Sequence, residues 1–153
     1  MKLKQTLIAS LLFATVAAVG LKAASPGAKT VVISAFDTMK YSVNTIEAHP
    51  GEKITVELKN EGTLPKEAMG HNWVLLKAGS DPQAYANAAI NAKSEGFQPK
   101  SLANKVLASI RILGPKESAS ASFAAPTAPG SYPYLCSFPA HCQVGMKGVL
   151  VVK

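Results

Sequence analysis

From Lys53 to Lys59 polar and apolar residues alternate without a break (Lys-Ile-Thr-Val-Glu-Leu-Lys), the period-two pattern of a strand with one buried face. Thr30–Ser34, Met39–Ile46, Val106–Leu113, Ala119–Ala124, Tyr132–Phe138 and Lys147–Val152 carry weaker versions of the same pattern. His71–Leu76 is apolar almost throughout and holds the sole Trp, Trp73. Turn-forming residues separate these runs: His49-Pro-Gly-Glu52, Asn60-Glu-Gly62, Gly114-Pro115 and Pro126-Thr-Ala-Pro-Gly130. One segment changes period. Ser80-Asp81 can cap a helix, Pro82 suits its first turn, and Gln83–Lys93 is Ala-rich, with Gly96 and Pro99 just beyond. Many short strands and one helical segment predict an all-β fold, a β-sandwich with a small helical insertion at about 81–93. No internal repeat interrupts the pattern.

The chain has 153 residues, the size of one domain. Its first segment follows other rules. Lys2 and Lys4 precede an apolar run, Leu7–Val19, and small residues follow at Ala18, Gly20, Ala23 and Ala24. This is the layout of a secretory signal peptide over residues 1–24, with residues 25–153 as the mature domain. The run is short for a membrane span, although an uncleaved anchor stays open. Cleavage would remove three lysines and lower the formal charge from +7 to +4. Neither a basic run nor interleaved aromatics accompanies this mild excess, which argues against nucleic-acid binding.

Composition changes the picture most in one stretch, Cys136-Ser-Phe-Pro-Ala-His141-Cys-Gln-Val-Gly-Met146. A thiol, an imidazole and a thioether share one short loop, which Pro139 keeps out of strand pairing. A second imidazole lies far upstream in Met69-Gly70-His71-Asn72-Trp73. Two His, one Cys and a weak axial Met are the donor set of a blue-copper electron-transfer centre. His71 would then pin the loop to the body of the sandwich. Asn72, beside it, can hydrogen-bond near Ser137 and join the two ligand segments. Gly70, without a side chain, could bring its carbonyl up as a second weak axial donor. Leu64, Met69, Phe138 and Ala140 could form an exposed apolar docking patch around His141.

These segments resemble known proteins. Gly62-Thr-Leu-Pro-Lys-Glu-Ala-Met69-Gly-His71-Asn-Trp-Val-Leu is similar to the first-histidine segment of azurins, and Cys136-Ser-Phe-Pro-Ala-His141 with Met146-Lys-Gly is similar to their ligand loop. The likeness runs from about residue 30 to 153. It implies a Greek-key cupredoxin sandwich and one mononuclear type 1 copper held by His71, Cys136 and His141, with Met146 and the Gly70 carbonyl axial. It further implies an electron carrier of the bacterial periplasm, a monomer, serving transient partners such as c-type cytochromes or periplasmic reductases and oxidases. The chain departs from azurins in one respect within the loop: one more residue separates His141 from Met146, as in the basic blue proteins of plants. In those the Cys after the His is disulfide-bonded to an upstream Cys, which this chain lacks. The disulfide typical of azurins near their N-terminus is missing too.

Other readings compete. Cys136 and Cys142 could pair with each other in a metal-free adhesive sandwich, which leaves His71-Asn72 and His141 unexplained. A copper oxidase or nitrite reductase needs further histidines, and only His49 remains, in a Pro-Gly turn. A copper carrier or store would want Met- and His-rich tracts, and none is present. Trp73, Tyr132 and Tyr134 read as packing residues, Met39 as core filling, and Cys142 as a small buried hydrophobe.

Overall fold

A computed structural model describes residues 28–153. The expected signal segment, residues 1–24, lies outside them. Among the described residues nine strands form two sheets: β1 (Lys29–Phe36), β2 (Lys40–Tyr41), β3 (Thr45–Ala48), β4 (Lys53–Asn60), β5 (His71–Leu76), β6 (Val106–Leu113), β7 (Ser118–Ala124), β8 (Gly130–Leu135) and β9 (Lys147–Val152). One sheet has the order β2-β1-β4-β7 and the other β3-β9-β8-β5-β6. β1–β4 and β3–β9 are parallel pairs and the remaining pairs are antiparallel. This is an all-β sandwich.

β4 is the alternating strand of the sequence, and Ile54, Val56, Leu58 and Asn60 all turn inward. Ile54, Val56 and Leu58 meet Trp73, Leu75, Tyr134, Leu150 and Ile33 in the main core. Burying side chains of this size contributes roughly 1.5–3 kcal/mol each. β5 is buried throughout, and apolar from Trp73 to Leu76, because both of its faces are covered. Trp73 and Leu75 face the main core. Val74 and Leu76 face a second cluster with Tyr85, Ala86, Leu135 and Cys142, beneath helix α2 (Pro82–Ala89).

The structure redraws several boundaries. Met39–Ile46 is not one strand. Met39 has φ 55°, and the chain crosses between sheets at Ser42–Asn44, so β2 and β3 belong to different layers. The helical insertion is shorter as α-helix and longer as a unit. Asp81 caps α2 by accepting the Gln83 N–H at 2.8 Å, but the helix ends at Ala89. Two 3-10 segments, Lys93–Glu95 and Lys100–Lys105, then carry the chain back to β6. β8 stops at Leu135, leaving Cys136–Phe138 in the loop beyond it. A one-turn helix, α1 (Lys66–Met69), precedes β5 and had no counterpart in the pattern. Among the described residues no helix is long and apolar enough to cross a membrane.

Candidate metal centre

The site is built from the start of β5 and the loop between β8 and β9. His71 opens β5 directly after the α1 turn. Gly70 joins the two in extended conformation, where a Cβ would lie 2.6 Å from Ile112 and 2.7 Å from the Lys66 carbonyl. The loop is held at its base by the Cys136 N–H donating to the Met146 carbonyl (3.0 Å). Inside it the His141 N–H donates to Phe138 (3.1 Å) and the Met146 N–H to His141 (2.9 Å). Ala140 and Gly145 adopt positive φ, 70° and 96°, to close so tight a path. Lys40 reaches across from β2 and donates to the Val144 carbonyl at 2.6 Å.

Three donors converge. The ligand atoms of His71, Cys136 and His141 lie within 4.8 Å of one another, and all three residues are buried. Nδ1 of His71 stands 3.2 Å from Nδ1 of His141, and the Cys136 sulfur 3.4 Å from that same nitrogen. Met146 is fully buried in the same core cluster as Cys136. Asn72 ties the two segments twice: its Nδ2 donates to Ser137 Oγ, and its Oδ1 accepts the Ser137 N–H, both at 2.8 Å. Ser137 Oγ donates in turn to the Phe97 carbonyl (2.5 Å), and the Tyr41 hydroxyl donates to the Asn72 carbonyl.

Burial sets the protonation of the three. It pushes the Cys136 thiol up to about 12, against the backbone N–H groups of Asn72 and Phe138, which favour the thiolate. Burial, and then His71, bring His141 down to about 4. Burial also lowers His71, opposed by the Asp37 carboxylate and the Phe36 carbonyl. Both imidazoles are therefore neutral at neutral pH and free to donate lone pairs. The thiol needs a cation beside it to ionise. Two facing Nδ1 atoms and a buried sulfur, with few hydrogen-bond partners of their own, suit a soft, thiophilic metal.

The family model for copper binding proteins of the plastocyanin/azurin family matches residues 28–153. The chain belongs to this family. Azurin of Bordetella pertussis is 39% identical over 124 residues, covering 79% of this chain and 81% of that protein. Auracyanin-B of Chloroflexus aurantiacus is 32% identical over 129 residues, 84% of this chain and 53% of the relative. Among solved structures, reduced auracyanin of Roseiflexus castenholzii superposes with TM-score 0.72 at 36% identity, covering 81% of this chain and 96% of that one. An azurin of Methylomonas sp. strain J gives 0.70 at 31%, covering 81% and 97%. The fold is the cupredoxin fold, copper is the family's metal, and membership implies copper-based electron transfer.

The remaining predicted site residues fall into two groups. Leu64 is 43% exposed, Ala140 is exposed and Met69 half-buried. Phe138 is not exposed as the docking patch would require. It is only 8% exposed, its ring 4.8 Å from that of His141 and 5.1 Å from Phe97. Its neighbour Pro139 turns the chain so that Ala140 takes the outer position. His141 is itself only 2% exposed, so little of its ring edge meets solvent. Both cysteines are free: Cys136 packs in the main core and Cys142 in the cluster under α2, its thiol 3.7 Å from the Pro82 carbonyl. His49 is exposed at the far end of β3, beside the Lys153 carbonyl.

Proposed function

We propose that this protein is a periplasmic carrier of single electrons, its copper held by His71 Nδ1, His141 Nδ1 and Cys136 Sγ. Met146 and the Gly70 carbonyl are the weak axial donors in this reading. One observation carries it: three buried donors of the right types lie within 4.8 Å, contributed by two separate segments. Copper, when bound, supplies a one-electron couple between Cu(I) and Cu(II).

The protein's own residues make that couple usable. Asn72 and Ser137 lock β5 to the loop, so the donors keep their spacing whatever the charge at the centre. The N–H groups of Asn72 and Phe138 hold charge on the Cys136 sulfur. Phe138 and Met146 exclude water, which limits solvent rearrangement when an electron arrives. Leu64, Met69 and Ala140 form a small apolar surface near His141, suited to brief contacts of less than about 1,200 Å². The partners on this reading are c-type cytochromes or periplasmic reductases and oxidases, met by a monomer exported through its N-terminal segment. The chain is no enzyme on this reading, since the one histidine beyond the cluster, His49, stands alone in an exposed turn.

The test is the visible and EPR spectrum of the Cu(II)-loaded protein beside Cys136→Ser. An intense blue or green band with small copper hyperfine splitting, lost in the variant, is expected. A pale spectrum unchanged by the substitution would overturn the ligand set.

A further inference from the structure

The backbone of Phe97 holds a conformation that large side chains avoid. Its φ is 57°, in the left-handed region. Among the described residues the other non-glycines with positive φ are Met39, Lys116 and Ala140, none of them aromatic. Phe97 follows the first 3-10 segment, where the Gly96 N–H donates to the Lys93 carbonyl (3.1 Å) and the Phe97 N–H to the Ala92 carbonyl (2.9 Å). Such a helix end accounts for the left-handed Gly96, φ 65°, but not for a second left-handed residue after it.

The metal loop is what holds Phe97. Its carbonyl accepts the Ser137 hydroxyl at 2.5 Å, and Ser137 is the residue that Asn72 grips. Its ring meets that of Phe138 edge-on at 5.1 Å, and the Phe138 ring lies in turn 4.8 Å from that of His141. Exposure falls along this row: Phe97 is half-buried, Phe138 8% exposed and His141 2%. Phe97 is thus the solvent-side ring of three, and it is carried by the helical insertion rather than by β5 or the loop. Backbone strain of this kind persists only where the surroundings fix it, and here they are the residues beside the donors.

We propose that Phe97 is a positioning residue of the metal centre, through which the helical insertion holds Phe138 against His141 and keeps water from that side of the site. The inference rests on the reading that His141 holds the copper. An apolar cover disfavours the more highly charged Cu(II), so Phe97 raises the reduction potential.

The experiment measures the potential of copper-loaded wild type, Phe97→Ala, Phe97→Gly and Ile90→Ala, and the urea midpoints of the copper-free forms. Ile90 is an apolar residue of the same insertion, 47% exposed at the end of α2. Both Phe97 variants should keep the blue band and shift the Cu(I)/Cu(II) equilibrium towards Cu(II) by about three- to tenfold, tenfold being about 59 mV for one electron. Ile90→Ala should stay at the wild-type potential. Without copper, Phe97→Gly should unfold at higher urea than Phe97→Ala, the reverse of their ordinary order, because glycine takes the left-handed backbone without strain. A blue Phe97→Ala protein at the wild-type potential overturns the proposal, and so does an Ile90→Ala protein that shifts as far. An Ala form more stable than the Gly form overturns it too, since the backbone would then not be held in strain. If neither Phe97 variant folds, Phe97→Leu decides: a smaller shift towards Cu(II) supports the proposal, and an unmoved potential overturns it. Absence of the blue band from wild type would instead strike at the copper reading itself, and the copper-free comparison would still stand.

Discussion

Asn72 makes two buried hydrogen bonds to one residue on the opposite ligand segment. Asn72→Ala strands the Ser137 N–H in the interior and leaves the Ser137 hydroxyl only its bond to the Phe97 carbonyl. It should cost about 2 kcal/mol of stability, read from urea unfolding of the copper-free protein. A loss under a few tenths of a kcal/mol would mean that the loop is held without this bridge. Met146→Leu tests a weaker contact. Leucine fills similar volume without a sulfur lone pair, so the blue band should survive and the potential should rise. A potential that does not move would remove Met146 from the donor set. At this scale the sequence was readable where chemistry is scarce. Cys, His and Met at short intervals have few other reasons to cluster, and His71 declared itself through its neighbours. Phe138 was misread because adjacency to a ligand says nothing about which way a ring turns.

The helical flap explains why β5 is apolar on both faces, and its one weakness is Tyr85. The ring is 2% exposed against Val74, Leu76, Leu135 and Cys142, yet its hydroxyl is buried without a partner, and burial pushes its pKa up to about 12. A hydroxyl that leaves water and gains no bond destabilises. Tyr85→Phe should therefore stabilise the protein by about 1 kcal/mol, seen as a higher melting temperature. A lower melting temperature would show that the hydroxyl does find a partner in solution. Elements were legible where a local period runs unopposed. β4 alternates over its whole length, and Asp81-Pro82 marks the start of α2. The division of Met39–Ile46 was not legible, because its cause is the change of sheet at Ser42–Asn44. Nor were the 3-10 segments, whose irregular backbone follows from spanning α2 to β6 rather than from a repeat in the residues.

For the whole molecule, the buried donors tie stability to pH. Without copper, Cys136 keeps its proton to about 12, whereas an unfolded thiol releases it near 9.0. The folded pKa is raised, so this contribution is complete below pH 9 and is lost as pH climbs from there. His141 works in the opposite sense. Its folded pKa of about 4 lies below the 6.5 of an exposed imidazole, so its contribution is complete above pH 6.5 and is lost as pH falls towards 4. The copper-free protein should then be most stable between about pH 6.5 and 9, with urea midpoints falling on both sides. Copper changes the two arms differently. A bound thiolate has already given up its proton, so the alkaline decline should flatten in the loaded protein. Protons compete with the metal for sulfur and imidazole, so the acid decline should steepen. Loading at pH 7 should release close to one proton, that of Cys136, because both imidazoles are already neutral. Urea midpoints at pH 5, 7.5 and 10, with and without copper, and pH-stat titration of loading check all three expectations. Copper-free protein that gains stability from pH 7.5 to 10, or loading that releases no proton, would mean that Cys136 is already ionised before the metal arrives.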